Sequence, residues 1–502
     1  MSDNEIKSIN GTKEKVLAGL FWTFGERILA QGVSFILSII LARILLPSEY
    51  GIIAMVMVFI NIANVFTSTG FGEALVQKKD ADELDFSTVF FCTLSLSIVI
   101  YIILFIGAPY IAEFYHTKEI ILVLRILSIK IVLSSIATVQ HAYVQKRMIF
   151  KKFFFSTLGG TVISGILGIV LAYSGFGVWA LVFQYLTNTI IDILVLLKTV
   201  PWHPRLIFSV ERAKQLMDFG WKLVFSNLIN VVYNESRSLI IGRSYSSADL
   251  AYYNKGNQIP SLAITNIDTA IGNVVFPAMS AAEDKERLKA IGRRAMKTTS
   301  YIIFPIMIGL IVVSRPLILL LLTDKWSNSI IYMQILCLYW MTQPIQTTNW
   351  QIIKAIGRSD LCLKLEILKK AIGITMVVIA MYFGVFAIAV SAAIFGIISM
   401  VINILPNKSL IDYSIKEQLL DIFPALISAV IMGVGVYFIS YLSLPVIIQF
   451  AVQIIFGAII YVGISYVFKV ESFEYILSNI ISAFMLNSLS VINTSSTSSI
   501  LI

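Results

Sequence analysis

Four runs of polar residues recur at helical spacing within otherwise apolar sequence. At 100° per residue, Arg27, Gln31, Ser34 and Ser38 fall within about 60° of one another. Asn61, Asn64 and Ser68 make a similar stripe. Asn227, Asn230, Asn234 and Arg237 lie within about 80°, as do Lys255, Gln258, Asn266 and Asn273. Such stripes offer hydrogen bonds and charge to a bound guest. Arg27, Arg125, Lys130, Arg237 and Lys255 are the basic residues expected inside, against Glu26, Glu235 and Asp268 as counter-charges or coupling groups. A basic excess of this kind suits an anionic guest such as a phosphate or pyrophosphate. The competing reading is that Glu235 with Arg237, or Glu26 with Arg27, only neutralise each other in packing; adjacent residues point about 100° apart, so the second pair closes poorly on one helix. Arg125 and Lys130 point about 140° apart, so at most one faces a shared cavity.

Bond-making chemistry has no comparable support. His116, His141 and His203 share no metal-ligand spacing, and no phosphate-binding glycine loop is present, so neither a metal, a cofactor nor ATP hydrolysis is expected. Cys92, Cys337 and Cys362 suggest no disulfide framework. The longest external loops, about 107–118 and 314–328, are short and carry no acidic cluster for a sugar-transferring enzyme. The chain is read as a non-enzyme.

The elements that carry the stripes follow from composition. The chain is 58% hydrophobic and only 13% charged, outside the range of soluble domains. Apolar runs of about 20 residues recur, each long enough to span a bilayer as a helix. They cover 16–42, 51–71, 86–108, 119–142, 154–174, 177–198, 215–241, 250–277, 298–322, 329–352, 364–383, 385–405, 421–441 and 445–468. The fold class is therefore an all-α polytopic membrane protein of about fourteen transmembrane helices. Basic residues gather in one set of loops, while the other set holds only Arg43, Lys118, Arg243, Arg315 and Lys325, which puts both termini in the cytoplasm. The net charge of +9 is then cytoplasmic flank, and no nucleic acid partner is expected. The first apolar run is too long for a cleavable signal peptide, and the Ser/Thr-rich end from Asn487 reads as a tail.

The sequence repeats weakly at a spacing of about 200 residues, as transporters built from parallel repeats do. Phe24-Gly25 matches Phe219-Gly220, Arg43 matches Arg243, and Gly72 matches Gly272. Between the halves, TVPWHPRLIFSVERAK (199–214) reads as a linker anchored at the membrane surface by Trp202 and Phe208. The basic segment 283–297 reads as a cytoplasmic surface helix. Asp192, Lys222, Glu366, Lys369 and Lys370 are expected to snorkel at the cytoplasmic boundary. Glu49 and Asp249 are expected partners of Arg43 and Arg243 in an external gate.

Three segments resemble one family: FWTFGERILAQGVSFILSIILARILLPSEYGIIAM (21–55), SLIIGRSYSSADLAYYNKGNQIPSLAITNIDTAIGNVVFPAMS (238–280) and FPIMIGLIVVSRPLILLLLTDKW (304–326). They are similar to the oligosaccharide-lipid flippases of bacterial polysaccharide biosynthesis, of the O-antigen and colanic-acid exporter type. The resemblance covers most of the chain and is strongest over 16–330. It implies a multidrug/oligosaccharidyl-lipid/polysaccharide exporter fold: two pseudo-symmetric six-helix lobes around a central cavity, plus two C-terminal helices. The implied divisions are 1–198, the linker 199–214, 215–405, helices thirteen and fourteen over 406–469, and a cytoplasmic tail over 470–502. It also implies translocation of undecaprenyl-pyrophosphate-linked oligosaccharide across the bacterial inner membrane by alternating access, without chemistry on the substrate. Arg27 and Lys255 occupy places where family members engage the pyrophosphate, with Arg237, Lys130 and Arg125 as further candidates. Gln31, Asn61, Asn64, Asn230, Asn234, Gln258 and Asn266 would line the cavity and bond sugar hydroxyls. The related peptidoglycan-precursor flippase has a basic residue on its second helix, where this chain has only Asn61 and Asn64. Membrane lipid, a polysaccharide polymerase and glycosyltransferases of the same pathway are the implied partners. The alternatives are a cation-coupled multidrug exporter of the same superfamily and a membrane-bound polymerase or ligase.

Overall fold

The computed structural model describes residues 29–149 and 151–478, and within them every regular element is helical. Among the described residues, ten helical stretches are long and apolar enough to cross a membrane: Pro47–Gln77, Glu83–Phe114, Ile120–Arg147, Lys151–Tyr173, Val178–Thr199, Ser247–Ser280, Lys285–Leu322, Val385–Ile411, Ile415–Ile439 and Val446–Val467. The remaining expected spans are helical too, but are short as described (Leu29–Ile44), broken (Ser329–Met341 and Gln343–Ala355), or carry several charges (Val210–Ser244 and Ser359–Ala380).

By packing, the chain forms two compact units, Met1–Ala251 and Tyr252–Ile502. In the first, α1 (Leu29–Ile44) is followed by α2 (Pro47–Ser68) and α3 (Gly70–Gln77). Then come α4 (Glu83–Phe114), α5 (Ile120–Leu127), α6 (Ile129–Arg147), α7 (Lys151–Tyr173), α8 (Val178–Thr199), α9 (Val210–Ser244) and the first turn of α10 (Ser247–Ala270). α9 packs antiparallel along α2 and α3 in one register. Gly51 meets Ser247, Asn61 bonds Glu235, Asn227 bonds Thr69, and Gly220 meets Gly70. A Cβ at Gly51 would lie 1.8 Å from the Ser247 carbonyl oxygen, and one at Gly220 would lie 2.7 Å from that of Gly70. Backbone approach this close leaves no room for a side chain at either end of the crossing.

The segment before α9 is docked on protein at Trp202, which corrects the surface-anchor reading for that residue, while Phe208 is exposed. Trp202 is 5% exposed, within 5.7 Å of the Phe86 ring and 6.3 Å of the Phe90 ring. Its carbonyl accepts from Gln140, while the backbone N–H groups of Arg205 and Ser209 donate to Ser87 and Thr88. Asp85, with no exposed side-chain surface, pairs with Lys78 at 2.7 Å and Arg212 at 3.2 Å, so the start of α9 is tied to α4. At the opposite end, Glu49 accepts from the Leu46 N–H at 2.7 Å and Asp249 from Ser246, each closing the first turn of its own helix. That capping geometry replaces the gate pairs expected with Arg43 and Arg243. Arg243 instead bonds His116 and lies over the Phe114 ring.

The second unit continues α10 into a π-helical turn, Ile271–Val275, and the short α11 (Phe276–Ser280). α12 runs from Lys285 to Leu322 without interruption, so the basic segment 283–297 opens a long membrane helix instead of forming a separate surface helix. Its Arg293 and Lys297 reach Asp421 at 2.7 and 3.3 Å. α13 (Ser329–Met341), α14 (Gln343–Ala355), α15 (Ser359–Ala380), α16 (Val385–Ile411), α17 (Ile415–Ile439) and α18 (Val446–Val467) complete it. A buried amide seam joins α14, α16 and α17: Asn407 donates to Asn349 at 2.5 Å, and Asn349 to Gln418 at 2.9 Å. Apolar surroundings make such bonds obligatory, because an unmet amide has no water to turn to.

Candidate functional site

Within the first unit a polar cavity of about 500 Å³ opens between α2, α3, α6 and α8. α6 supplies Lys130, Ser134, Thr138, His141 and Gln145, one helix face repeating at three and four residues. Asn64 and Ser68 come from α2, Glu73 from α3, and Asn188 and Asp192 from α8. The Lys130 ammonium sits 5.2 Å from the centroid of the Tyr185 ring. His141 Nε2 lies 3.2 Å from Asp192 Oδ2. Among the described residues, two carboxylates thus share the cavity with one ammonium and one imidazole. The stripe on α6 is legible in its spacing, yet sequence reasoning reaches only Lys130 of it. Asp192, expected to snorkel, points into the cavity.

The other expected residues divide. Asn61 Nδ2 donates to Glu235 Oε1 at 2.9 Å, bringing two of them together on α2 and α9. Arg237 and Asn230 are half-buried on α9, whereas Asn234 and, on α1, Gln31 are exposed. Arg125 is directed away from the cavity: its Nε donates to the Phe105 carbonyl at 3.2 Å and its guanidinium covers that ring at 4.5 Å. Arg27 and Glu26 lie outside the described residues.

In the second unit Lys255 is 7% exposed on α10. Its Nζ donates to Gln258 Oε1 at 3.1 Å and lies 5.8 Å from the Trp326 ring. Two turns on, the exposed Asn266 bonds back to the Leu262 carbonyl, and Asp268 accepts from Thr347 Oγ1 of α14 at 3.0 Å just before the π-helical turn. Turns of that kind often mark functional positions in helices. The arrangement can hold polar and charged groups inside an apolar bundle; among the described residues no group of three or more His, Cys, Asp or Glu could hold a metal.

Known proteins share this sequence and fold. The teichuronic acid biosynthesis protein TuaB of Bacillus subtilis is 25% identical over 417 residues, covering 80% of this chain and 84% of that protein. The succinoglycan biosynthesis transport protein ExoT of Rhizobium meliloti is 25% identical over 307 residues, 61% of this chain and 62% of that one. A solved structure of the lipid II flippase MurJ in an inward closed conformation matches with a TM-score of 0.73 at 16% identity, over 90% of this chain and 98% of that chain; the likeness is one of fold. The family profile described as polysaccharide biosynthesis protein matches residues 40–331, from the end of α1 into α13 and through the whole polar cavity. The chain belongs to that polysaccharide biosynthesis protein family.

Proposed function

We propose that the chain is a flippase that moves polyprenyl-pyrophosphate-linked oligosaccharide repeat units across the bacterial inner membrane for surface polysaccharide synthesis. One observation carries this reading: the family match of residues 40–331 falls on membrane-length helices that enclose a polar cavity. A polar interior of this size in an apolar bundle calls for a function, because each buried polar group is costly in lipid. The MurJ likeness supports the helical membrane fold; two lobes of about fourteen spans with both termini cytoplasmic are proposed from the apolar runs and the bias of basic residues among the loops.

The site assignment follows the charges. Lys255 and Arg237, with Arg27, are proposed to engage the pyrophosphate. The amides of Asn61, Asn64, Asn230, Asn234, Gln258, Asn266 and Gln31 are proposed to bond sugar hydroxyls, and the prenyl chain to stay in lipid. Lys130 shares its cavity with Glu73 and Asp192, and it is proposed to balance their charge instead of meeting the headgroup.

The experiment is deletion of the gene in its own host, followed by the fate of the lipid-linked repeat unit. Intact repeat units should accumulate on the cytoplasmic leaflet, shielded from periodate in sealed cells, with surface polysaccharide lost. Repeat units reaching the outer leaflet undiminished would overturn the reading. Complete repeat units that reach the outer leaflet but are neither joined to one another nor transferred to an acceptor would favour the polymerase or ligase.

A further inference from the structure

We infer that the end of the first unit opposite the linker carries a separate carbohydrate site, an open pocket that holds the glycan of the repeat unit on the outer face once its headgroup has crossed. This rests on the transporter reading above. The pocket measures about 880 Å³ and lies where four helices begin: Leu46 to Ile52 at the start of α2, His116 to Glu119 before α5, Gly177 to Trp179 opening α8, and Ser247 opening α10. On α8, Trp179 and Asp192 stand about 20 Å apart along the axis, so this pocket is distinct from the polar cavity described above. Its loops belong to the set with few basic residues, which assigns them to the outer face.

The lining supplies the groups a sugar needs. Trp179 is half-buried, and its ring lies 6.2 Å from that of Phe183 one turn on, which holds the indole at the pocket wall. The face of an aromatic ring is negative and attracts the weakly positive C–H bonds on one side of a pyranose. Glu49 Oε2 caps α2 through the Leu46 N–H at 2.7 Å, while Oε1 lies beside Gly177, where a Cβ would come within 2.5 Å of it. Gly177 has a φ of 56°, so only glycine suits both the backbone and the room next to that oxygen. Glu119, the N-cap of α5, makes no capping bond with its side chain and is exposed. Arg243 bonds His116 Nε2; a guanidinium only donates, so the imidazole accepts there and carries its proton on Nδ1. The carboxylates accept from hydroxyl groups in charge-assisted bonds, and the imidazole N–H and the Lys118 ammonium donate.

Charge and polarity exclude other guests. Among the described residues the lining sets Glu49 and Glu119 against Lys118, with Arg243 behind His116, which leaves nothing to select pyrophosphate over a neutral ligand. Leu29, where the described chain begins, stands at the far end of α1, about 24 Å along that helix. Among the described residues no group of three His, Cys, Asp or Glu could hold a metal. A prenyl or acyl chain would leave the polar lining unmet, which is costly. A pyranose is apolar on one face and hydroxylated at its edge, and it meets both kinds of lining at once. Holding the glycan there favours the crossed state of the repeat unit by the free energy of that binding.

The test is isothermal titration calorimetry of the full chain in nanodiscs. The probe is the oligosaccharide repeat unit cleaved from the host's own lipid by mild acid and freed of phosphate. Wild type should bind it. Trp179→Ala should weaken binding at least tenfold, while Trp179→Phe, which keeps a ring, should stay within about threefold. Glu119→Gln should also weaken binding, with no change in melting temperature, because its side chain caps nothing. Inorganic pyrophosphate in excess should not displace the probe. Displacement by pyrophosphate, or unchanged affinity in both Trp179→Ala and Glu119→Gln, would move the binding to the proposed headgroup site and overturn the inference while the proposed function stands. No binding by wild type would overturn it as well. Repeat units reaching the outer leaflet undiminished in the deletion strain would count against the transporter reading, whatever the calorimetry shows.

Discussion

Asn61 on α2 donates its amide to the Glu235 carboxylate on α9 at 2.9 Å, joining positions 174 residues apart in the chain. The bond sits midway along the crossing, with Gly51 against Ser247 at one end and Gly70 against Gly220 at the other. Small residues at the ends and a hydrogen bond in the middle are what helix pairs use in lipid, where burial of apolar surface offers no drive for association.

Removing one partner should therefore cost more than removing both. Asn61→Leu leaves a carboxylate at membrane depth without its donor and should destabilise by about 1–3 kcal/mol. Adding Glu235→Leu should return most of that. Thermal unfolding in detergent, followed by tryptophan fluorescence, reads both. If the double variant loses the sum of the single losses, the two residues are not coupled.

The close approach predicts a steep penalty at one glycine and none at another. Gly51→Ala drives a methyl group into the Ser247 backbone, which cannot turn aside as a side chain could. A loss of about 1–3 kcal/mol is expected from such overpacking. A methyl group at Gly32 would meet nothing within 4 Å, so Gly32→Ala should be neutral or slightly stabilising in its helix. Equal melting temperatures for the two variants would show that α2 and α9 do not pack as described.

Asp85 holds the linker end of the first unit. Asp85→Asn leaves Lys78 and Arg212 facing each other, and breaking such a buried pair costs about 3–5 kcal/mol. The lower end applies, because the two cations keep side-chain exposures of 26% and 33%. Residues 200–209 should then become open to protease while the helices stay intact. Unchanged cleavage there would mean that the Trp202 contacts suffice to dock the linker.

Asp82 gives the same region a pH dependence. The Asp85 N–H donates to its carboxylate at 2.9 Å, and that bond, with Arg212 beside it, holds the carboxyl below its ordinary value of 3.8. A lowered folded value stabilises above the ordinary value, and the contribution is lost as pH falls through the folded one. Protection factors for the first turn of α4 should drop in the window below about pH 4. In Asp82→Asn they should already be low and change less with pH; equal profiles would remove the carboxylate from the account.

What could be read in the sequence was local, and what could not was long-range. Helices stand in the described part of every expected apolar stretch, because hydrophobic length alone forces them. Gly70 follows the break at Thr69 and Pro344 lies in the first turn after the break at Thr342, but the break at Ser128 has neither residue beside it, so no local signal marked it. The amide stripe on α2 and the inside placement of Glu235 were legible, but the bond between Asn61 and Glu235 was not, since nothing local sets the register of α9. The pairing of His141 with Asp192 spans 51 residues and two helices. Each member alone looks like an ordinary boundary residue, and only the packing of α6 on α8 makes them a site. Trp202 misled for the same reason: an aromatic beside basic residues fits a membrane surface as well as a protein groove.

Lys255 separates a binding role from a structural one. It is 7% exposed on α10, bonded to Gln258 and placed over Trp326. Burying its ammonium costs desolvation that a neutral residue would not incur, so Lys255→Gln should leave unfolding unchanged or slightly raised in temperature. If the charge meets the pyrophosphate, the same variant should cut surface polysaccharide at least tenfold at matched membrane levels. Lys255→Arg keeps a cation and should retain most export, although its planar fork bonds phosphate differently from a point charge. Normal export by Lys255→Gln would take the residue out of the site. Loss of folding in both variants would make it part of the packing against Trp326. Arg27→Gln, tested in the same strain, should show the same loss of export with folding retained if that residue too meets the pyrophosphate.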